Sequence, residues 1–326
     1  MRILRTLIIA IAVFAAVAFL LNTTWLAPAM TGKPTLLAHR GMHQTFPPDG
    51  IENDTCTATR IRPPDHAFLE NTIPSMRAAF AAGAQVVEFD VHPTTDGHFA
   101  VFHDWTLDCR TNGRGVTREK SLAELKALDV GYGYTADGGV TYPFRGQGVG
   151  LMPSLDEVLG AFPEQRFLIN VKSRDAGEGR LLGSRLSKLS PEARARIAAY
   201  GHDVPVAALR ETLPDLRVMS RGILARCLLR YIAAGWSSYV PAACRNTVLL
   251  VPSNIAPLLW GWPNRFLERM REAGTDVYLI GPYAGGDFTT GIDTAAEVAA
   301  LPKNYDGGIW TNRIQVIAPL MAERGR

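Results

Sequence analysis

From position 35 onward, short apolar runs of about five residues alternate with longer stretches whose apolar positions recur at helical spacing. TLLAH (35–39), QVVEFDV (85–91), FAVFH (99–103), RFLINVK (166–172), LRVMS (216–220), TVLLV (247–251), DVYLI (276–280) and GGIWT (307–311) read as strands. Helical patterns lie between them. Thr72 stands as an N-cap before Pro74, Met76 and Phe80 share a face, and Gly83 closes the helix. Ser121 with Glu124, and Ser154 with Glu157, spell capping boxes. RGILARCLLRYIAAG (221–235) and PNRFLERMREAG (263–274) are further helices. This alternation implies parallel strands joined by right-handed crossovers. About eight strands in roughly 290 residues predict one (β/α)8 TIM barrel over 34–326, with a doubly wound sheet as the alternative. The Pro-, Thr- and Asp-rich segment 42–69 is too long for an ordinary connection.

Side-chain parity along the strands divides them further, because successive residues face opposite sides. In VVEFDV, Val87, Phe89 and Val91 take one face, and Val86, Glu88 and Asp90 the other. In a barrel the apolar triplet faces the helices and the carboxylates face the interior. The same test directs Leu168, Asn170 and Lys172 inward, with Thr35, Leu37 and His39 from the first strand. It also directs Phe99, Val101 and His103 inward if FAVFH is a barrel strand. Four strands then carry polar groups near their C-terminal ends, where barrel active sites sit. Unpaired, each such buried group costs a few kcal/mol, about 2 or more.

The N-terminus has a different pattern. Arg2 and Arg5 precede the uncharged run 7–21, which reaches spanning length if extended to Trp25. Residues 1–30 therefore read as a membrane anchor, or as a signal peptide cleaved after Ala27-Pro28-Ala29. Either way the remainder is expected to be exported, facing the periplasm or cell exterior if anchored and secreted if cleaved. These two arginines supply most of the net charge of +3. The rest is near neutral, so composition makes no case for nucleic acid. An oxidising compartment permits bridges among the four cysteines, and Cys56–Cys109 with Cys227–Cys244 is the favoured pairing, against four buried thiols.

The inward polar set has a chemistry. Glu88 and Asp90 have Cα atoms roughly 7 Å apart on one strand and can share a cation. Carboxylates without cysteine favour a hard ion, Mg²⁺ or Ca²⁺; the alternative is that they pair with Arg40 and Lys172. His39 and His103 approach from different strands and can serve as one base and one acid. His43, His66, His92, His98 and His202 read as loop or surface residues, with His92 beyond its strand end. Metal, guanidinium and ammonium beside two imidazoles suit displacement at a phosphoryl group.

HRG (39–41), ENT (70–72), EFD (88–90), TDG (95–97), HD (103–104), RTNGRG (110–115), PSLDEVL (153–159) and DGGIWTN (306–312) together resemble the glycerophosphodiester phosphodiesterase family. The resemblance implies a TIM barrel that hydrolyses glycerophosphodiesters to glycerol phosphate and an alcohol with a divalent ion. It implies that His39 and His103 are catalytic and that Glu88 and Asp90 bind the metal. It further implies that Arg40 contacts phosphate, that Glu70 lies near the metal and that arginine, and that Lys172 closes the fourth-strand motif. Asn170 departs from the pattern, standing where the family usually has a glutamate. The length of 42–69 is a second departure; the segment is expected to cover the mouth, held by Cys56, and to set leaving-group specificity. Other readings are a lysophospholipase D- or sphingomyelinase D-like lipid phosphodiesterase, a glycosidase, and a metal-deficient binding protein.

Overall fold

The structure is a computed structural model that describes residues 1–52, 55–286 and 290–324. Its strands are β1 (Thr35–His39), β2 (Val86–Pro93), β3 (Phe99–Val101), β4 (Arg166–Val171), β5 (Ile197–Gly201), β6 (Arg217–Ser220), β7 (Val248–Pro252), β8 (Asp276–Ile280) and β9 (Gly308–Thr311). Eight of them run in the order β6-β5-β4-β2-β1-β9-β8-β7, with every described ladder along that path parallel. Between the end strands, Thr247 Oγ1 donates to Val218 O at 2.6 Å. The result is a nearly closed (β/α)8 barrel, not a doubly wound sheet.

Two strand assignments change. FAVFH supplies β3, which pairs antiparallel with β2 (Val91 opposite Val101) and lies off the barrel path. Phe99 and Val101 consequently pack in the layer between barrel and helices, not in the interior. The eighth barrel strand is β5, IAAYG, which the periodicity does not separate from its helical neighbours.

Elsewhere parity holds. Leu37, Val86, Leu168 and Trp310 pack inside the barrel, whereas Val87, Phe89, Phe167 and Ile169 pack outward against the helices. Both capping boxes form, and Thr72 Oγ1 accepts from Ser75 N to cap the helix Ile73–Ala81. A separate apolar cluster joins the long segment to the residues after β3, through Ala58, Ile61, Leu69, Phe102, Leu107 and Leu125. Cys56–Cys109 bridges its two halves, and Cys227–Cys244 ties the helix Arg221–Ala234 to the segment before β7.

One described helix, Arg2–Asn22, is long and apolar enough to cross a membrane by length and composition. Its C-terminal half is docked: Phe14 packs on Trp236 with centroids 4.7 Å apart, and Asn22 Nδ2 donates to Trp236 O at 2.8 Å.

Candidate active site

The polar residues assemble at the C-terminal mouth of the barrel through strand register. His39 lies beside Glu88 across β1 and β2, and Asp90 beside Asn170 and then Tyr200 across β2, β4 and β5. After His39 the chain must turn away from the barrel axis. Arg40 adopts φ 55° and Gly41 φ 77° to do so. A Cβ at Gly41 would lie 2.4 Å from Ser75 Oγ, so glycine is required there. This left-handed turn aims the Arg40 backbone N–H at Glu88 Oε2, 3.1 Å away.

The ENT triplet does three things. Glu70 receives Arg40 Nη1 at 3.1 Å and Arg110 Nη2 at 3.2 Å. Asn71 clamps Asp90 at two points, donating to Oδ2 at 3.0 Å and accepting from its backbone N at 3.1 Å. Thr72 caps the following helix.

Glu88 and Asp90 are fully buried. Tyr200 OH donates to Glu88 Oε1 at 2.7 Å. Arg40 Nε lies 3.3 Å from Asp90 Oδ2, Lys172 Nζ lies 3.7 Å from Oδ1, and Asn170 Nδ2 donates to Oδ1 at 2.8 Å. The pairing of the carboxylates with Arg40 and Lys172 is therefore real at Asp90. The two acids respond oppositely. Burial opposes ionisation of Asp90, but the charges of His103, Lys172 and Arg40 outweigh it and hold its pKa low. Burial and then Asp90 push Glu88 up. Burial is thus the chief obstacle to a charge on Glu88, whereas Asp90 is held ionised by its cationic neighbours.

The two histidines arrive by different routes. His39 ends β1, with Nδ1 2.6 Å from Asn312 Oδ1 and Nε2 accepting from Arg40 Nε at 3.1 Å. Burial, then Arg40 and His43, hold it well below the usual imidazole range. His103 lies just past β3, and its Nδ1 is 2.7 Å from Asp104 Oδ1. Burial, then Arg40 and Lys172, push His103 down to about 4. Asp104 is in turn paired with Arg110. His103 thus reaches the mouth although its strand is outside the barrel.

Several residues of the site were given no role in it by the sequence reading. Arg110, only 2% exposed, ties Asp104 to Glu70 and also donates to Thr57 Oγ1 at 2.6 Å. His43 lies in the loop after β1, as expected, but is buried, and His92 is buried within β2 rather than beyond its end. Its Nε2 is 3.3 Å from His103 O. His43 packs edge-on to His39 with centroids 5.9 Å apart, and its Nε2 has no hydrogen-bond partner among the described residues. The RTNGRG and HRG motifs pointed to these neighbourhoods, but nothing in periodicity marks which loop side chains turn inward.

Among the described residues no cluster of three or more His, Cys, Asp or Glu side chains stands ready to enclose a metal. The donor set still fits a hard cation. Mg²⁺ is commonly held by one or two carboxylates, with water and substrate phosphate completing its shell. Glu88 and Asp90 offer that pair, two residues apart on β2 and both buried.

The glycerophosphoryl diester phosphodiesterase family model matches residues 39–188. A glycerophosphodiester phosphodiesterase of Caldanaerobacter subterraneus is 30% identical over 163 residues, 48% of this chain and 62% of its own. One from Bacillus subtilis is 33% identical over 164 residues, 46% of this chain and 55% of its own. The matches therefore span less than two thirds of those relatives. Among solved structures, the glycerophosphoryl diester phosphodiesterase domain of an uncharacterized Mycobacterium tuberculosis protein superposes with TM-score 0.61 at 17% identity, over 88% of this chain and 98% of that one. A phosphodiesterase of Oleispira antarctica, in complex with the product sn-glycerol-3-phosphate, superposes with TM-score 0.53 at 17% identity, over 89% of this chain and 97% of that one. These likenesses bear on the fold. Residues 39–188 are thus similar to the glycerophosphoryl diester phosphodiesterase family, a likeness that the two curated relatives share over about half of this chain.

Proposed function

We propose that the protein hydrolyses glycerophosphodiesters to glycerol phosphate and an alcohol, with His39 and His103 as the acid–base pair. The observation that carries this reading is the convergence of two partly buried imidazoles, two buried carboxylates and the cations Arg40 and Lys172 on one barrel mouth. Arg40 and Lys172 bind the non-bridging phosphate oxygens of the substrate. Once the phosphate draws the Arg40 guanidinium toward itself, His39 Nε2 has a free lone pair and takes a proton from the attacking oxygen. His103, oriented by Asp104, protonates the departing alkoxide. Burial, then the positive field of Arg40 and Lys172, keep His103 neutral in the resting site, and the bound phosphate offsets the field of those two cations.

Glu88 and Asp90 hold a divalent ion, Mg²⁺ or Ca²⁺, with Glu70 nearby. When bound, it supplies charge neutralisation at the phosphoryl oxygens. Asn170 adds an uncharged amide where a further acid would strengthen that site. Residues 1–30 anchor the chain to a membrane from which 34–326 projects.

The test is a panel of glycerophosphodiesters and lysophospholipids, with EDTA, Mg²⁺ or Ca²⁺. Release of glycerol phosphate that EDTA abolishes and metal restores supports the proposal. Activity confined to lysolipids would transfer it to the lipid phosphodiesterase reading. EDTA-resistant cleavage of glycosides, or no turnover with metal bound, would overturn it.

A further inference from the structure

We propose that Asn312, held by Asp293, is a positioning residue that fixes His39 in the tautomer protonated on Nδ1 and leaves the Nε2 lone pair facing the mouth. This deepens the proposed function, since it rests on His39 acting as the base.

A neutral imidazole has one donor and one acceptor nitrogen, and its neighbours decide which is which. Asn312 follows β9, and its carboxamide is oriented from the far side. Asp293 accepts Asn312 Nδ2 at 2.8 Å, Asn312 backbone N at 2.6 Å and Thr311 Oγ1 at 2.9 Å. A carboxylate only accepts, so the Asn312 amino group must face Asp293. Its carbonyl oxygen is left facing His39 Nδ1, 2.6 Å away. That oxygen only accepts, so Nδ1 carries the hydrogen.

The opposite edge of the ring gives the same answer independently. Arg40 Nε lies 3.1 Å from His39 Nε2, and a guanidinium only donates. Nε2 is therefore the lone-pair nitrogen. The Trp310 ring, with its centroid 4.8 Å from that of His39, packs against the imidazole and limits its rotation. Outside β1 and its turn, tautomer and ring plane are thus set by Asp293 in the segment before the helix Ala295–Ala300, by Trp310 on β9 and by Asn312 just after it.

The experiment uses full-length protein labelled with [¹⁵N]histidine, alongside steady-state kinetics on glycerophosphocholine. The variants are Asn312→Ala and the exchange pair Asp293→Asn/Asn312→Asp, which returns an acceptor to His39 and a donor behind it. In the unsubstituted protein the His39 Nε2 resonance should carry the shift of an unprotonated nitrogen. Asn312→Ala should mix the two tautomers and lower kcat about 10- to 100-fold with KM changed less than about twofold, the scale of losing a group that orients a histidine. The exchange pair should restore both the tautomer and most of kcat. An Asn312→Ala protein with the original tautomer and kcat would overturn the inference, as would an exchange pair no better than Asn312→Ala at equal thermal stability. If no glycerophosphodiester is turned over by any form, the proposed function fails, and the tautomer spectra alone decide the role of Asn312.

Discussion

Arg110 shows how single residues hold this mouth together. Its guanidinium is buried between Asp104 and Glu70, and each of those acids orients a further group: Asp104 the His103 ring, Glu70 the Arg40 guanidinium. Arg110→Met would leave two buried carboxylates without their shared partner, so stability should fall by about 3–5 kcal/mol in a denaturant titration. The sign with pH follows from the pairing. Against burial, the Arg110 charge holds the carboxyl groups of Asp104 and Glu70 below their ordinary values. Their pairing therefore contributes stability above the ordinary carboxylate range of about 4. That contribution is lost as pH falls through the depressed folded values. The gap between Arg110→Met and the unsubstituted protein should accordingly narrow below about pH 4; a constant gap would contradict the pairing. Asn170 makes a second residue-scale prediction. Asn170→Glu adds a charge beside Asp90, and the Mg²⁺ concentration giving half-maximal activity should drop about tenfold, since ligand charge tunes affinity for hard cations. An unchanged requirement would remove Asn170 from the metal site. Glu88, Asp90, His39 and Lys172 were legible in the sequence because strand parity and strand ends dictate where they point. Arg110, Asn312 and Asp293 were not, because a loop has no such period.

At the scale of elements, β3 and β5 show the limit of reading runs of hydrophobic residues. FAVFH is as apolar as a barrel strand, but its partner is the far end of β2 in a hairpin turned at Gly97, φ 80°. IAAYG carries three small residues among five and has little β-branched character, yet it is a central strand because β4 and β6 flank it. Tertiary pairing decided both cases. The hairpin also explains the second apolar cluster, since β3 leads the chain out of the barrel and the cluster closes over Phe102 and Leu107. Cys56–Cys109 encloses a separation of 53 residues and is the covalent tie across that cluster. Replacing both cysteines with serine should cost about 4 kcal/mol on chain-entropy grounds. Limited proteolysis should then cut first within 43–69, and a cleavage pattern like that of the bridged protein would contradict this role.

For the whole molecule, the apolar helix is joined to the barrel by more than its linker. Buried Arg269 donates to Leu21 O and Asn22 Oδ1, at 2.8 and 3.0 Å, as well as to Tyr231, Gly235 and Ser238. Deleting residues 1–30 removes two of these acceptors, whereas deleting 1–18 keeps them. The longer deletion should be less stable by about 1–3 kcal/mol in denaturant, the cost of leaving a buried donor unpaired. Equal stability would mean that the helix end contributes nothing to the barrel. The shorter deletion should also move the protein from the membrane fraction to the soluble one if residues 1–30 serve as the anchor. The barrel's central claim is that its mouth is a metal-assisted phosphodiesterase site run by two histidines. ³¹P NMR of glycerophosphocholine incubated with the full-length protein and Mg²⁺ or Ca²⁺ tests it most directly. The account predicts that the diester resonance is replaced by that of glycerol phosphate, that EDTA stops the conversion, and that folded His39→Ala and His103→Ala proteins lower the rate at least about 100-fold. Conversion at an undiminished rate by either histidine variant, or an unchanged diester resonance with metal bound, would contradict it.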